Sequence, residues 1–406
     1  MEGLKNAVMI SKTVCGALRN FIENNYMFNL TCEKDDHMIS CYKPKKCSVK
    51  LIGYAKKISD CDKLTDKDTN TRITDPIYCD NIKFFADMQF TYLILETKNI
   101  YLLDNILICL PRTLKYLDMK RTYYNGSLCN LPDNLETLIM SDNFTGNVDD
   151  LPIKLKKIVF GFGFNEKVKL LPIGLQTIYF GYSFNQKINK LPNTVEYIKL
   201  SKCFDQIIDK LPDRLSILKI GTYFCKTIDE LPVHLKYLKL GDFFNRCIDF
   251  LPINLTVLKI GDGFNNNVDN LPLCILILDI GDAFNQKIDN LPGNIQTLKL
   301  GNSFNQSVNK LPHSLTNLYL GNSFNQNIDF LPHGLVNISF GEFFNHDFLL
   351  VPKSIRYIKF GFCFGGRIGV LPDHSVQIEL NKYLSNIYNP NLEASNKNVI
   401  LKYINI

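Results

Sequence analysis

Six lysines of this chain, Lys199, Lys219, Lys239, Lys259, Lys299 and Lys359, are separated by multiples of 20 residues, and Tyr179, Tyr197, Tyr237, Tyr319 and Tyr357 fall at the same position or two residues before it. A row of cations beside aromatic rings is chemistry for recognising an anionic partner: the lysines steer the encounter and the tyrosines anchor it. Like charges about 5 Å apart in water repel by roughly 0.8 kcal/mol. Folding by itself therefore does not favour the row, and something should neutralise it. Asp279 interrupts it, while Asp242, Asp262, Asp282 and Glu342, one turn further along the same period, are candidates for internal neutralisation. A second acidic row, Asp209, Asp229, Asp249, Asp269, Asp289 and Asp329, should edge a different face. One carboxylate per repeat supplies too few oxygen ligands for calcium, and Asp that caps its own backbone in a turn accounts for that row.

Catalytic chemistry is not signalled. No P-loop, G-x-S-x-G, H-E-x-x-H or complete G-x-G-x-x-G is present, and His37, His234, His313, His333, His346 and His374 share no common position in the period. Cys32, His37, Cys41 and Cys47 have spacings that could bind zinc, but they depart from the paired C-x-x-C form, and ordinary semi-buried thiols explain them better. We expect no enzyme activity, no cofactor and no metal. The 13 cysteines are odd in number and irregularly placed, so reduced thiols are expected rather than a disulfide framework.

The elements that position these residues follow from one period. Leu-Pro recurs at 110, 131 and then every 20 residues to 371, with Val351-Pro352 filling the one gap. Counting that Leu as position 1, apolar residues fall at 5, 8, 10, 14 and 18, as in Leu231, Leu235, Leu238, Leu240, Phe244 and Ile248. Alternation at 7 to 10 is the period of a half-buried strand. Glycine at position 11 frees the chain for a turn of positive φ, and proline at position 2 belongs outside the paired region because it cannot donate to a ladder. One such unit is too small to stand alone, so units must stack, their strands forming a continuous parallel sheet with the lysines on its open face. Position 14 is Phe from Phe144 to Phe364, and position 15 is usually Asn, as in Asn165, Asn185, Asn245, Asn265, Asn285, Asn305, Asn325 and Asn345. We read these as a phenylalanine spine and a buried asparagine ladder that satisfies backbone groups at the turn, broken without explanation at Asp205, Cys225 and Gly365.

The unit resembles a leucine-rich repeat, and the run Phe324 to Pro332, Phe-Asn-Gln-x-Ile-Asp-x-Leu-Pro, is similar to the FNIP repeat, a short leucine-rich-repeat relative abundant in social amoebae and giant DNA viruses. The resemblance covers about residues 110 to 380 and implies a protein-interaction solenoid with no catalytic residues to carry over. Viral members often begin with an F-box, the helical module that docks on the Skp1 subunit of a cullin ubiquitin ligase. Leu4, Val8, Cys15, Leu18 and Ile22 share one helical face, and residues 9 to 29 resemble the second half of that module, although its opening Leu-Pro-x-Glu helix is missing. The other reading of this segment is a cap over the open end of the sheet.

The expected fold is therefore a leucine-rich-repeat-like solenoid of 20-residue coils over residues 91–380, with an N-terminal helical or mixed region over 1–90 and a C-terminal cap over 381–406. Tyr92 to Leu95 read as an early strand, and Val399, Ile400, Leu401 and Tyr403 as the closing one. An excess of 46 basic over 40 acidic side chains is too mild to imply nucleic acid, and no stretch reads as a signal peptide or a membrane span. The expectation is an intracellular protein, in the cytoplasm of a host, that binds another protein. It would act as a substrate-recruiting adaptor for a cullin ligase, or alternatively as a polyanion binder along the lysine row.

Overall fold

The computed structural model describes residues 27–32, 47–52, 91–96, 100–381 and 399–404. The chain divides into two compact units, Met1–Gln186 with Lys190–Val195, and Lys187–Asn189 with Glu196–Ile406.

In the first unit, β1 (Met27–Cys32) and β2 (Cys47–Ile52) run antiparallel with Cys32 opposite Cys47. From β2 onward the pairing is parallel and strictly sequential, through β3 (Tyr92–Glu96), β4 (Tyr116–Asp118), β5 (Thr137–Ile139), β6 (Lys157–Val159) and β7 (Thr177–Tyr179). The helix α1 (Ile100–Ile108) fills the connection between β3 and β4, and buries Leu103, Ile106 and Leu107, which lie on one face at helical spacing.

The second unit is a parallel stack of β8 (Tyr197–Lys199), β9 (Ile217–Lys219), β10 (Tyr237–Lys239), β11 (Val257–Ile260), β12 (Ile277–Ile280), β13 (Thr297–Leu300), β14 (Asn317–Tyr319), β15 (Asn337–Ser339), β16 (Tyr357–Lys359), β17 (Val376–Asn381) and β18 (Val399–Ile404). Register is in phase with the period, so Tyr237, Leu238 and Lys239 pair with Val257, Leu258 and Lys259, and so on along the stack. β18 pairs with β17 in parallel over six residues, twice the length of most strands. Apart from the antiparallel β1–β2 pair and the longer connections that precede β5, each unit is thus a parallel β-solenoid of 20-residue coils, as expected.

Each coil is closed by the same bonds. The amide at position 5 donates to the Pro carbonyl at position 2, as in Leu235 to Pro232 at 3.0 Å. Proline is suited to that site because only its carbonyl is used. Positions 5, 8 and 14 are buried, Leu235, Leu238 and Phe244 each with no exposure at all. The rings at position 14 stack nearly parallel, with centroids 6.3 Å apart for Phe244–Phe264 and 6.0 Å for Phe284–Phe304. Paired strands lie only about 4.8 Å apart. The ring centroids are therefore further apart than ordinary paired strands.

Two expectations about the turn are corrected. Glycine at position 11 is needed for close approach rather than for positive φ: a Cβ on Gly241 would land on the backbone carbonyl of Gly221, and one on Gly361 on that of Gly341. The asparagine ladder exists but is not buried. Asn165, Asn245, Asn265, Asn285, Asn325 and Asn345 are exposed, and Asn185 and Asn305 half-buried. Along the ladder Oδ1 accepts the backbone amide of position 15 in the next coil, at 2.9 Å from Asn285 to Asn265 and from Asn305 to Asn285. Gln286 and Gln306 Nε2 donate to the same oxygens, each at 3.1 Å. The bond runs along the stack, so the rest of the amide is left facing water.

That geometry also explains two of the ladder breaks. Asp205 keeps the acceptor and takes the amide of Cys225 at 2.8 Å, while Gly365 needs only its amide, which donates to Asn345 at 2.6 Å. Of the three breaks, Cys225 is left as the one in mid-stack that lacks the carbonyl-type acceptor. A second ladder, unexpected from the sequence, runs at position 4. Ser314 Oγ donates to the carbonyls of Gly293 and Ile295 at 2.7 Å each, Ser354 Oγ to those of His333 and Leu335, and Asn254 and Asn294 Nδ2 to single carbonyls of the coil before.

Candidate protein-binding face

Positions 7 and 9 flank the buried position 8, so their side chains stand on the open face of the strands. Among the expected site residues the second unit holds Tyr197, Lys199, Lys219, Tyr237, Lys239 and Lys259 on the four consecutive strands β8 to β11. Lys219 Nζ lies 5.4 Å from the ring centroids of both Tyr197 and Tyr237, so one cation is shared between two aromatic faces. That contact is worth about 0.5–1 kcal/mol at an exposed site, and it holds the ammonium over the sheet. Lys199 and Lys239 are exposed, and among the described residues neither has an ion-pair partner.

Further along, the row changes character. Asp279 lies between Lys259 at 3.2 Å and Lys299 at 3.6 Å, with its side chain 24% exposed. Tyr319 is exposed, and Tyr357 and Lys359 are half-buried beside Glu379, the residue opposite Lys359 on β17. Burial works against the Glu379 charge, but hydrogen bonds from Tyr357 and from Lys402, the latter at 3.2 Å, outweigh it and hold the carboxyl below its usual range. Burial, and then donation to Glu379, push the Tyr357 hydroxyl well above the usual phenol value. Tyr179 belongs to the first unit, where Lys157 Nζ lies 5.2 Å over its ring.

The expected internal neutralisation is corrected in its address. The acids at position 12 do not meet the lysines: Asp282 accepts the backbone amide and Nδ2 of Asn302 at 3.2 and 2.9 Å, and Asp242 accepts from Thr222 Oγ1 at 3.4 Å. Having passed the turn made by the glycine at position 11, these side chains point along the stack. Neutralisation comes instead from Asp279, within the row itself. Glu379 and Lys402 were missed by sequence reasoning, although Glu379 stands at position 9 and the period alone could have found it. The acidic row at position 19 sits in turns or bends, and at Asp269 and Asp329 the cap comes from position 17. Asn267 and Asn327 Oδ1 accept the amides of Asp269 and Asp329 at 2.8 and 2.7 Å.

His37 and Cys41 of the cysteine-histidine set lie outside the described residues, as do Leu4, Val8, Cys15, Leu18 and Ile22. Among the described residues no group of three or more His, Cys, Asp or Glu could hold a metal ion, and no helix is long and apolar enough to cross a membrane. Among the described residues, Cys109, Cys129, Cys203, Cys225, Cys247, Cys274 and Cys363 form no disulfide.

Short parallel strands repeating every 20 residues over several stacked rows of buried apolar side chains define a leucine-rich-repeat-like scaffold, a class that presents surfaces to other proteins and is generally non-enzymatic. The chain carries FNIP repeats: the FNIP Repeat family model matches residues 164–203, 226–263 and 304–343. The fold is also that of YopM from Yersinia enterocolitica WA-314, with a TM-score of 0.50 at 20% identity over 72% of this chain and 69% of that one. CroV588, described as a novel circular LRR protein, is 24% identical with a TM-score of 0.36 over 78% of this chain and 70% of its own. The functional domain of InlJ from Listeria monocytogenes is 12% identical with a TM-score of 0.40 over 72% and 65%. No curated protein matches the sequence.

Proposed function

We propose that the protein is a non-enzymatic interaction scaffold whose strand face in the second unit docks an acidic segment of another protein. The observation that carries this reading is the run Lys199, Lys219 and Lys239, in register on adjacent strands, with Lys219 seated between Tyr197 and Tyr237. Stacked like charges cost folding energy, and three of them together are retained where a partner supplies the opposite charge. Lys299, Lys359, Tyr319 and Tyr357 extend the face, and Tyr179 presents the equivalent position in the first unit.

Three finer readings complete the proposal. Residues 1–90 cap the open end of the sheet or couple the scaffold to Skp1 and a cullin, the coupling with support from the helical pattern of Leu4, Val8, Cys15, Leu18 and Ile22, while 91–380 form the solenoid and 381–406 close it. A giant-virus or social-amoeba origin, with the protein acting in host cytoplasm, fits the FNIP repeats and the free thiols. The polyanion alternative, nucleic acid or a phosphorylated surface, uses the same lysines without the tyrosines.

The test is affinity purification with mass spectrometry, comparing the wild type with the triple variant Lys219→Glu, Lys239→Glu, Lys259→Glu. A control variant carries Asp229→Lys, Asp249→Lys and Asp269→Lys. Loss of the captured proteins from the lysine variant alone is the expected result. Loss from the control alone would place the binding surface elsewhere, and recovery of Skp1 with a cullin decides the N-terminal reading. Polyanion binding weakens by orders of magnitude as salt rises, whereas an aromatic-anchored protein contact weakens less.

A further inference from the structure

We infer that Asp279 is a specificity-determining residue that ends the anion-binding stretch of the strand face, limiting the acidic segment it accepts to one that spans β8 to β10. This rests on the docking role proposed above. Two regions of the row differ in one respect. Lys199 and Lys239 have no ion-pair partner among the described residues and Lys219 is held only by two rings, whereas Lys259 and Lys299 both converge on the Asp279 carboxylate at 3.2 and 3.6 Å. An approaching carboxylate meets uncompensated positive charge on one side of Lys259. On the other it meets two lysines already engaged and a carboxylate of its own sign.

The chain could have placed this acid elsewhere without harm to the fold. Position 9 accepts Lys, Tyr and Ser with the same backbone register, as Lys299, Tyr319 and Ser339 on successive strands show. Asp279 stands at position 9, on the face turned away from the buried position 8, and is only a quarter exposed where Lys259 and Lys299 converge on it. Its role is therefore electrostatic.

The geometry sets the ligand length. With strands about 4.8 Å apart, Lys199 to Lys239 covers roughly 10 Å and Lys199 to Lys299 roughly 24 Å. An extended peptide crosses these in about three and about seven residues, at ~3.3 Å per residue. A five-residue acidic peptide covers the free stretch with a residue to spare at each end, and one that engages the row from Lys199 to Lys299 must pass over Asp279.

The experiment uses the full chain and fluorescein-labelled oligo-glutamates of five and twelve residues, with binding read by fluorescence anisotropy at low salt. Wild-type protein should bind the two probes within about threefold of each other. The isosteric Asp279→Asn variant frees Lys259 and Lys299 and removes the opposing charge. It should bind the twelve-residue probe about five- to tenfold more tightly, the scale of two additional exposed ion pairs, and the five-residue probe within about twofold of wild type. Equal increases for both probes, or no increase for the longer one, would overturn the inference. Unchanged binding by Lys199→Gln, Lys219→Gln, Lys239→Gln, or no binding of either probe by any form, would overturn the docking reading itself. Tighter binding of an oligothymidylate of matched charge than of oligo-glutamate would replace the peptide with a nucleic acid as occupant. Melting curves that superimpose for wild type and Asp279→Asn exclude a folding effect.

Discussion

The Phe-Asn corner of the second unit and its strand face are built by the same 20-residue translation, yet they respond to it in opposite ways. At the corner, repetition is favourable: identical rings stack at about the same spacing from Phe204 to Phe364, and each asparagine accepts the amide of the next coil. On the strand face, repetition of lysine is unfavourable, and the chain varies what it places there. Lys219 is set between tyrosines, Asp279 between lysines, and Glu379 against Lys402. Similar devices appear in the first unit, where Glu136 bridges Lys115 at 3.1 Å and Lys156 at 2.8 Å, and hydrogen bonds from Lys156 and then Lys115 hold its carboxyl below the usual range. Identity from coil to coil marks what holds the solenoid together, and departure from identity marks where the chain offsets its own like charges.

The contrast is most easily broken at the spine. Phe264→Ala removes a fully buried ring with a neighbour on each side, Phe244 and Phe284, and should cost about 3–5 kcal/mol in denaturant unfolding. Phe364→Ala removes a ring that stacks on Phe344 in the preceding coil and Phe360 in its own, one coil before the last Leu-Pro at 371. Its cost should be smaller, and equal losses would speak against a one-dimensional stack.

A smaller effect should come from the turn. Gly241→Ala drives a methyl onto the Gly221 carbonyl, for a loss of roughly 1–3 kcal/mol as the coils separate locally. A melting temperature unchanged from wild type would show that the coils are not tightly apposed there.

The ladder offers a sharper comparison. Asn265→Ala strands the amide of Asn285 and the side chain of Gln286, at a cost of about 1 kcal/mol. Asn265→Asp keeps the acceptor, as Asp205 does, and should cost less than half of that. If both variants lose the same amount, acceptance by Oδ1 is not what the asparagine contributes.

The smallest expected effect is a pH dependence. Glu379 has its folded pKa depressed below the unfolded value of 4.5, its own burial being outweighed by Tyr357 and Lys402. The unfolded chain therefore takes up the proton first as pH falls. The stabilisation is complete well above pH 4.5 and lost as pH falls through the folded value. Glu379→Gln should flatten the stability profile in that acid range and leave oligo-glutamate binding at Lys219 unchanged. An acid profile identical to wild type would remove the Tyr357–Glu379–Lys402 cluster as a stabilising feature.

The fold was largely legible because translation carries position n of one coil onto position n of the next. Leu235, Leu238, Leu240, Phe244 and Ile248 are assigned to the core by spacing alone, and Lys199 to Lys299 to one face. The exposure of the asparagines was not legible, because a polar residue next to a buried Phe need not share its environment. The hydrogen bond along the stack uses one oxygen and leaves the remaining amide in water. Glycine at position 11 is ambiguous for a similar reason, since a dihedral requirement and a contact requirement leave the same residue in the sequence.

What the sequence by itself determined is the period, the parallel stacking and which side chains look outward, because these depend only on the order of apolar and polar residues along one repeat. The tertiary structure alone decided which neighbours those outward side chains choose. Whether a lysine meets Asp279 or Asp242 turns on which way each carboxylate leaves the backbone, a matter of a few ångströms between atoms on different coils. Charge interactions fall off steeply over that distance in water, so the same residues at the same period make either a self-compensated surface or one with uncompensated charge.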